Sequence, residues 1–238
     1  MHYLDLTLPT PAENLACDEA LLEACEAGGP EVLRFWEAPA HFVVLGYANR
    51  IATEADLGEC RARGIPVLRR VTGGGTVLQG PGCLNYSVVL RLQEEGPTAS
   101  IPQTNLWIMN RHAAALTELL GQPVRRRGDT DLAVADRKCS GNAQRRGRRA
   151  LLFHGAFLID LDLARLAAVL PPPSREPDYR AGRRHGDFVM NLGVDRARLK
   201  SALRRVWSAN EPSSAWPAAR TEELARAKYC RDEWNHRF

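Results

Sequence analysis

The chain has 238 residues, 45% of them hydrophobic and 25% charged, with a formal net charge of +4. That length buries a sizeable core as one large or one-and-a-half domains, and the composition is that of an ordinary globular protein, which excludes a disordered or fibrous chain. No apolar run reaches the length of a membrane helix, and Met1-His2-Tyr3-Leu4-Asp5 has neither a basic nor an apolar leader region, so no membrane partner and a cytoplasmic location are expected.

In chain order, Leu15 to Ala27 reads as a helix with Asn14 as N-cap and Gly28-Gly29-Pro30 as its stop. Val32 to Trp36 and Phe42 to Leu45 read as short strands, and Ala55 to Arg63 as a helix ending at Gly64. Val67 to Arg70 and Thr76 to Leu78 flank a glycine triplet, and Leu84 to Leu92 is a strand. Thr104 to Leu120 is a long amphipathic helix. Leu132 to Ala135 is a strand that leads into a polar turn around Lys138. Leu151 to Ile159 is a strand and Leu163 to Leu170 a helix, stopped by Pro171-Pro172-Pro173. From Pro171 to Asp187 the chain is rich in prolines and charge, and reads either as a disordered surface loop or as a lid. Ser201 to Arg205 and Thr221 to Lys228 read as helices that cap the main unit. The alternation gives a mixed α/β (α+β) fold, with too many hairpin-length links for a doubly wound sheet.

Three segments carry chemistry. In Arg69-Arg70-Val71-Thr72-Gly73-Gly74-Gly75-Thr76-Val77 the glycines let backbone N–H groups approach an anion, and the arginines add charge. The triplet is neither a Gly-Lys-Ser/Thr phosphate loop nor a spaced-glycine dinucleotide fingerprint, and a plain tight turn is the competing reading. Asp136-Arg137-Lys138-Cys139-Ser140-Gly141-Asn142-Ala143-Gln144 offers one lysine as a point charge for a phosphate or developing oxyanion. The third segment, Leu151 to Ile159, places His154-Gly155 within an apolar strand.

Taken together these segments resemble the lipoate–protein ligase group of the biotin/lipoate ligase superfamily. The Arg-Arg-x-x-Gly-Gly-Gly-x-Val loop is found at Arg69 to Val77, and the Gly-x-Asn-Asp-Leu turn is echoed by Gly128-Asp129-Thr130-Asp131-Leu132. The Lys-x-Ser-Gly-x-Ala stretch is matched at Lys138 to Ala143, and His-Gly at His154-Gly155. Asn14-Leu15-Ala16 and the Tyr229…Glu233-Trp234 ending also fit, so the resemblance covers nearly the whole chain in order.

The resemblance implies an enzyme that uses ATP and Mg²⁺ to convert lipoate or octanoate to an acyl-adenylate. It then passes the acyl group to a lysine of a lipoyl-domain or H-protein-like carrier. Lys138 is the implied catalytic residue for both steps. Arg70, Thr72, Gly73, Gly74, Gly75, Thr76, Val77, Val44, Leu45 and His154 are the implied acyl site, with Arg70 orienting carboxylate or phosphate. Asp131, Lys138, Ser140, Gly141 and Arg183 are the implied nucleotide site, and the 171–187 segment, on the lid reading, closes over ATP. Each methylene buried in an apolar slot is worth about 0.8 kcal/mol, so a lipoyl tail binds without added charge. The expected organisation is a catalytic unit over residues 1–200 with 201–238 packed on it. The chain stops at Phe238 without the accessory domain of longer ligases, so it works alone or with a separate accessory subunit.

Some positions depart from the pattern. Thr130 replaces the usual Asn, which implies a changed polar contact near the nucleotide, and Gln79 replaces a common His, which implies a change at the carboxyl end of the acyl site. The Arg125-Arg126-Arg127, Arg145–Arg149 and Arg183-Arg184-His185 clusters read as solvated loops or as steering for ATP and an acidic carrier. Nucleic acid is not expected, because no aromatic pattern interleaves with them. The six cysteines form no Cys-x-x-Cys pair, and Cys139 is expected to pack as a small apolar side chain. Two rivals remain: an octanoyltransferase of the same fold, suggested by Gly80-Pro81-Gly82 but lacking a matching cysteine, and a non-catalytic module that only docks carriers.

Overall fold

A computed structural model describes residues Met1–Phe238. Strand β1 (His2–Asp5) leads to helix α1 (Pro11–Glu26), which begins earlier than expected. Thr10, not Asn14, is the N-cap: its hydroxyl accepts from the Glu13 N–H at 3.2 Å, and the Glu13 carboxylate accepts from the Thr10 N–H at 2.8 Å. This reciprocal box, with Pro11 at the first helical position, satisfies donors that the first turn leaves open. Asn14 lies inside the helix and ties together Leu8, Thr10 and Arg34 through its amide.

Strands β2 (Val32–Trp36) and β3 (Phe42–Leu45) fall where expected. The helix expected over 55–63 is two, α2 (Ile51–Glu54) and α3 (Leu57–Ala62), because Asp56 is extended and caps the second, accepting from the Glu59 N–H at 2.9 Å. Next come β4 (Val67–Arg69), β5 (Val77–Gln79), β6 (Cys83–Arg91), α4 (Ile101–Leu120), β7 (Val124–Arg127), β8 (Asp131–Val134), β9 (Arg137–Arg146) and β10 (Ala150–Leu158). The chain ends with α5 (Leu163–Val169), a 3₁₀ turn at Asp178–Arg180, α6 (His185–Phe188), α7 (Arg196–Val206), β11 (Glu211–Pro212), α8 (Ala218–Leu224), a π turn over Ala225–Tyr229 and α9 (Asp232–Asn235).

Two mixed sheets result, one of eight strands in the order β11-β1-β2-β6-β10-β9-β8-β7 and one of three in the order β4-β3-β5. On one face of the large sheet Val32, Val89 and Leu152 pack against α1. On the other, Leu33, Val88 and Phe153 pack against α4 and α7. The C-terminal elements sit on α1 and the small sheet: Arg220 pairs with Glu23, Lys228 with Glu19, and the Trp234 indole donates to the Arg69 carbonyl at 2.8 Å. Residue 200, the expected end of the catalytic unit, lies within α7, whose Leu199 and Leu203 are fully buried in the α4 core.

Two polar segments expected as loops are strands. Lys138 to Gln144, read as a turn, is the middle of β9; the turn is Ala135-Asp136, with φ of 45° and 64°. Pairing with β10 from Ser140 to Arg146 outweighs the weak strand preference of Ser, Gly and Asn. Arg125 to Arg127 form the outer part of edge strand β7, where their charge blunts pairing with another chain.

Candidate active site

A cleft of about 720 Å³ lies between the large sheet, the glycine loop and the 171–189 segment. That segment is not structureless: Pro171, Ser174, Arg175, Pro177, Arg180 and Phe188 all line the cleft. Ser174 is anchored to the Glu54 carboxylate, and Arg180 lies over the Phe188 ring at 4.9 Å.

Lys138 stands in the cleft and donates to Asp131 Oδ1 at 2.8 Å, while the Tyr179 hydroxyl donates to Asp131 Oδ2 at 2.8 Å. Burial, and then the neighbouring carboxylate, push the Tyr179 hydroxyl well above its ordinary range, so it remains a donor. Gly141 leaves room for the lysine, since a Cβ there would stand 2.9 Å from both Nζ and Cε. Thr130 donates to the Asn142 carbonyl at 2.6 Å, and the Asn142 amide donates to the Thr130 carbonyl at 2.6 Å. The side chain that departs from the family pattern therefore bolts the Asp131 turn to β9.

Arg70 lines the cleft and clamps the loop. Its guanidinium donates to the carbonyls of Gly73 and Gly75, each at 2.7 Å, to the Thr72 hydroxyl at 2.9 Å and to the Val44 carbonyl at 3.3 Å. Burial lowers its pKa to about 10, which leaves it charged at neutral pH. The carbonyls of the folded loop fix the guanidinium at the cleft wall. Gly74 has a φ of 88° and its Cβ position lies 2.9 Å from Arg70 Nη2, so both backbone and space require glycine. Gly73 and Gly75 have nothing within 4 Å of their Cβ positions and face the cleft with Thr76 and Val77.

Behind the loop runs a buried polar chain. His154 Nδ1 lies 3.1 Å from Asp18 Oδ2, and Nε2 lies 2.7 Å from the Thr72 hydroxyl. The carboxylate can only accept, so Nδ1 carries the proton and Nε2 accepts from Thr72. Asp18 also pairs with fully buried Arg34 at 2.6 Å. Burial works to raise the Asp18 pKa, yet Arg34 and then His154 hold it below its ordinary value. His154 reaches the cleft; Thr72 is behind it.

Other expected site residues stand back from the cleft. Val44 and Leu45 are fully buried in β3, because that strand is paired on both sides beneath the loop. Ser140 is buried and donates to Asn142 Oδ1 at 3.2 Å. Arg183 turns to the carbonyls of Tyr179 and Asp136, at 2.7 and 3.1 Å, while Arg180 lines the cleft instead. Asp18, Tyr179 and Asn142 were missing from the expected site. Asn142 lay within the lysine motif, whereas nothing local marked Asp18 or Tyr179.

No cysteine lines the cleft. Cys83 and Cys139 are buried, and burial raises each thiol to about 12; Cys139 packs in the core and donates to the Leu132 carbonyl at 3.3 Å.

The family model of the lipoyl protein ligase A/B catalytic domain matches residues 10–210. The chain belongs to this family. It is 32% identical over 258 residues to the octanoyltransferase LipM of Carboxydothermus hydrogenoformans, covering 95% of each protein. A relative from Aeropyrum pernix is 33% identical over 171 residues, and there the chain spans 61% of the relative's length. Among solved structures, the chain is similar to a bi-partite lipoate protein ligase, studied with its E2 lipoyl domain, from Thermoplasma acidophilum. The TM-score is 0.84 at 28% identity, with 99% of this chain and 95% of that one covered. A lipoate-protein ligase A bound with ATP gives a TM-score of 0.82 at 28% identity, covering 99% of this chain and 98% of the other. Both curated ligase and transferase names therefore occur around this fold.

Proposed function

We propose that the protein is an ATP-dependent lipoate–protein ligase, and the observation that carries this reading is the pairing of Lys138 with Asp131 in a cleft without a thiol. In the first half-reaction a carboxylate oxygen of lipoate or octanoate bonds to the α-phosphorus of ATP, and the bond to the bridging oxygen breaks to release pyrophosphate. Charge gathers on the non-bridging oxygens, where an ammonium held at a fixed position stabilises it without reorganising. In the second, the carrier lysine amine attacks the acyl carbon, AMP leaves, and the amine proton passes to solvent; the Lys138 charge serves the oxyanion again. Asp131 and Tyr179 hold Lys138 in place, and Arg50, Arg175 and Arg180 add positive charge along the cleft for phosphates. Asp131 is a suitable single carboxylate for Mg²⁺, whose other ligands would be phosphate oxygens and water.

An octanoyltransferase needs a nucleophile in the cleft, and a thiol held at about 12 within the core does not supply one. The partner in this reading is a lipoyl-domain-like carrier, which the Thermoplasma structure with its E2 lipoyl domain supports, and the bi-partite nature of that ligase supports a separate accessory subunit here. In this reading the catalytic unit extends through α7, past the expected bound at residue 200, with the later C-terminal elements packed on α1 and the small sheet, and the enzyme is cytoplasmic. No helix is long and apolar enough to cross a membrane. The test is lipoate-dependent ATP–pyrophosphate exchange: wild type exchanges and Lys138→Ala does not, whereas exchange surviving in the mutant, or acyl transfer from a carrier thioester without ATP, overturns the reading.

A further inference from the structure

Strand register lays out a track across the large sheet. Gly141 pairs with Ala156, Ala156 with Asn85, and Asn85 with Trp36, on four neighbouring strands, and directly paired residues project to one face. At neighbouring-strand spacing these three steps span roughly 14 Å, enough for an extended octanoyl-length chain. The floor is bare at the start, glycine and then alanine, and Lys138 lies over its first member. Exposure falls along it, from 23% for the Lys138 side chain to 8% at Ala156, 1% at Asn85 and 2% at Trp36. The track is thus open at the lysine and closed at Asn85 and Trp36.

The closed end is polar. Both amide atoms of Asn85, the Trp36 indole nitrogen and Gln79 Oε1 are buried, belong to residues lining the cleft, and have no hydrogen-bond partner in the protein. Gln79 pairs with Phe42, whose ring stacks on Trp36 with centroids 6.3 Å apart, so it belongs to this end and not to the lysine end expected from sequence. A buried donor left unmet costs free energy, and a methyl terminus leaves these groups unmet. A terminus carrying polarisable acceptor atoms relieves the two donors among them, the Asn85 side-chain N–H₂ and the Trp36 indole N–H.

We infer that Asn85, with the Trp36 indole N–H beside it, is a specificity-determining residue that selects an acyl chain ending in hydrogen-bond-accepting atoms, such as the paired sulfurs of a dithiolane, over one ending in a methyl group. The inference rests on the reading of the cleft as an acyl site. It is tested by calorimetric titration of the full chain with free lipoate and, separately, free octanoate, which needs no turnover. Wild type is expected to bind lipoate about tenfold more tightly. Asn85→Leu is expected to bring the two affinities within about twofold, with octanoate binding strengthened. Asn85→Thr, which keeps a hydroxyl of smaller size, covers the case in which leucine does not fold, and is expected to retain part of the preference. Equal affinity for the two acids in wild type, or an unchanged preference in the folded variants, overturns the inference and leaves the acyl site standing. Binding of neither acid overturns both.

Discussion

The Lys138 side chain lies directly over Gly141, close enough that a Cβ on Gly141 would stand 2.9 Å from the lysine Nζ. The two residues are three apart in one strand, and the second exists as glycine to let the first reach Asp131 at 2.8 Å. Gly141→Ala should therefore displace a flexible side-chain end, at little cost to stability, while moving the ammonium off its position. The expected loss in lipoate-dependent pyrophosphate exchange is on the order of a hundredfold, with the melting temperature nearly unchanged. Full activity in the alanine variant would show that the ammonium position is not what the cleft uses.

Cysteine replacement separates ligase from transferase. Cys83→Ala and Cys139→Ala, singly and together, should keep ATP-dependent acyl transfer to a lipoyl domain within a few-fold of wild type, because neither thiol reaches the cleft. Alkylation by iodoacetamide at pH 8 should label exposed Cys230 and spare Cys83 and Cys139, whose thiols are buried and raised to about 12. Loss of transfer by orders of magnitude in either single mutant would favour an acyl-enzyme.

Asp18 joins two buried partners, Arg34 at 2.6 Å and His154 at 3.1 Å. Asp18→Asn leaves the Arg34 guanidinium without a counter-charge in the interior, which costs about 3–5 kcal/mol, or roughly 10 °C in melting temperature for a chain of this size. It also frees the His154 tautomer and so loosens Thr72 and the loop. The expected signature is a lower melting temperature together with weaker lipoate binding; an unchanged denaturation curve contradicts the placement of this pair.

Acid sensitivity has an identifiable source in His112. The Trp207 indole donates to its Nε2 at 2.8 Å, and burial, followed by the Arg111 charge, lowers its pKa to about 3. The unfolded chain, at the ordinary 6.5, takes up the proton first. Stability is therefore complete above about 6.5 and declines as pH falls toward 3, by about 1.4 kcal/mol per pH unit within that window. Asp18, held below its ordinary value, contributes in the same direction at lower pH. Urea denaturation at pH 7.5, 6 and 5 should show the decline, and His112→Gln, which cannot titrate, should flatten it between pH 6.5 and 5.

The order of most strands and helices and the place of the glycine loop are legible in the amino-acid sequence alone, because periodicity, glycine triplets and capping residues act over a few neighbours. Thr10-Pro11-Ala12-Glu13 is a complete capping box one turn ahead of Asn14, so the local signal for the helix start lies at Thr10. Tertiary structure decided what those residues face. Lys138 meets Asp131 and Tyr179, and His154 meets Asp18 across 136 positions of sequence, only because sheet register and the 171–189 segment bring them together. The polar run Lys138 to Gln144 became a strand because β8 pairs with it up to Ser140 and β10 from Ser140 onward, a gain that no local propensity records. Arg70 became a loop clamp for a related reason. A guanidinium carries no mark in sequence of whether its acceptors come from a ligand or from the protein's own backbone, and folding placed the carbonyls of Gly73 and Gly75 within 2.7 Å of it.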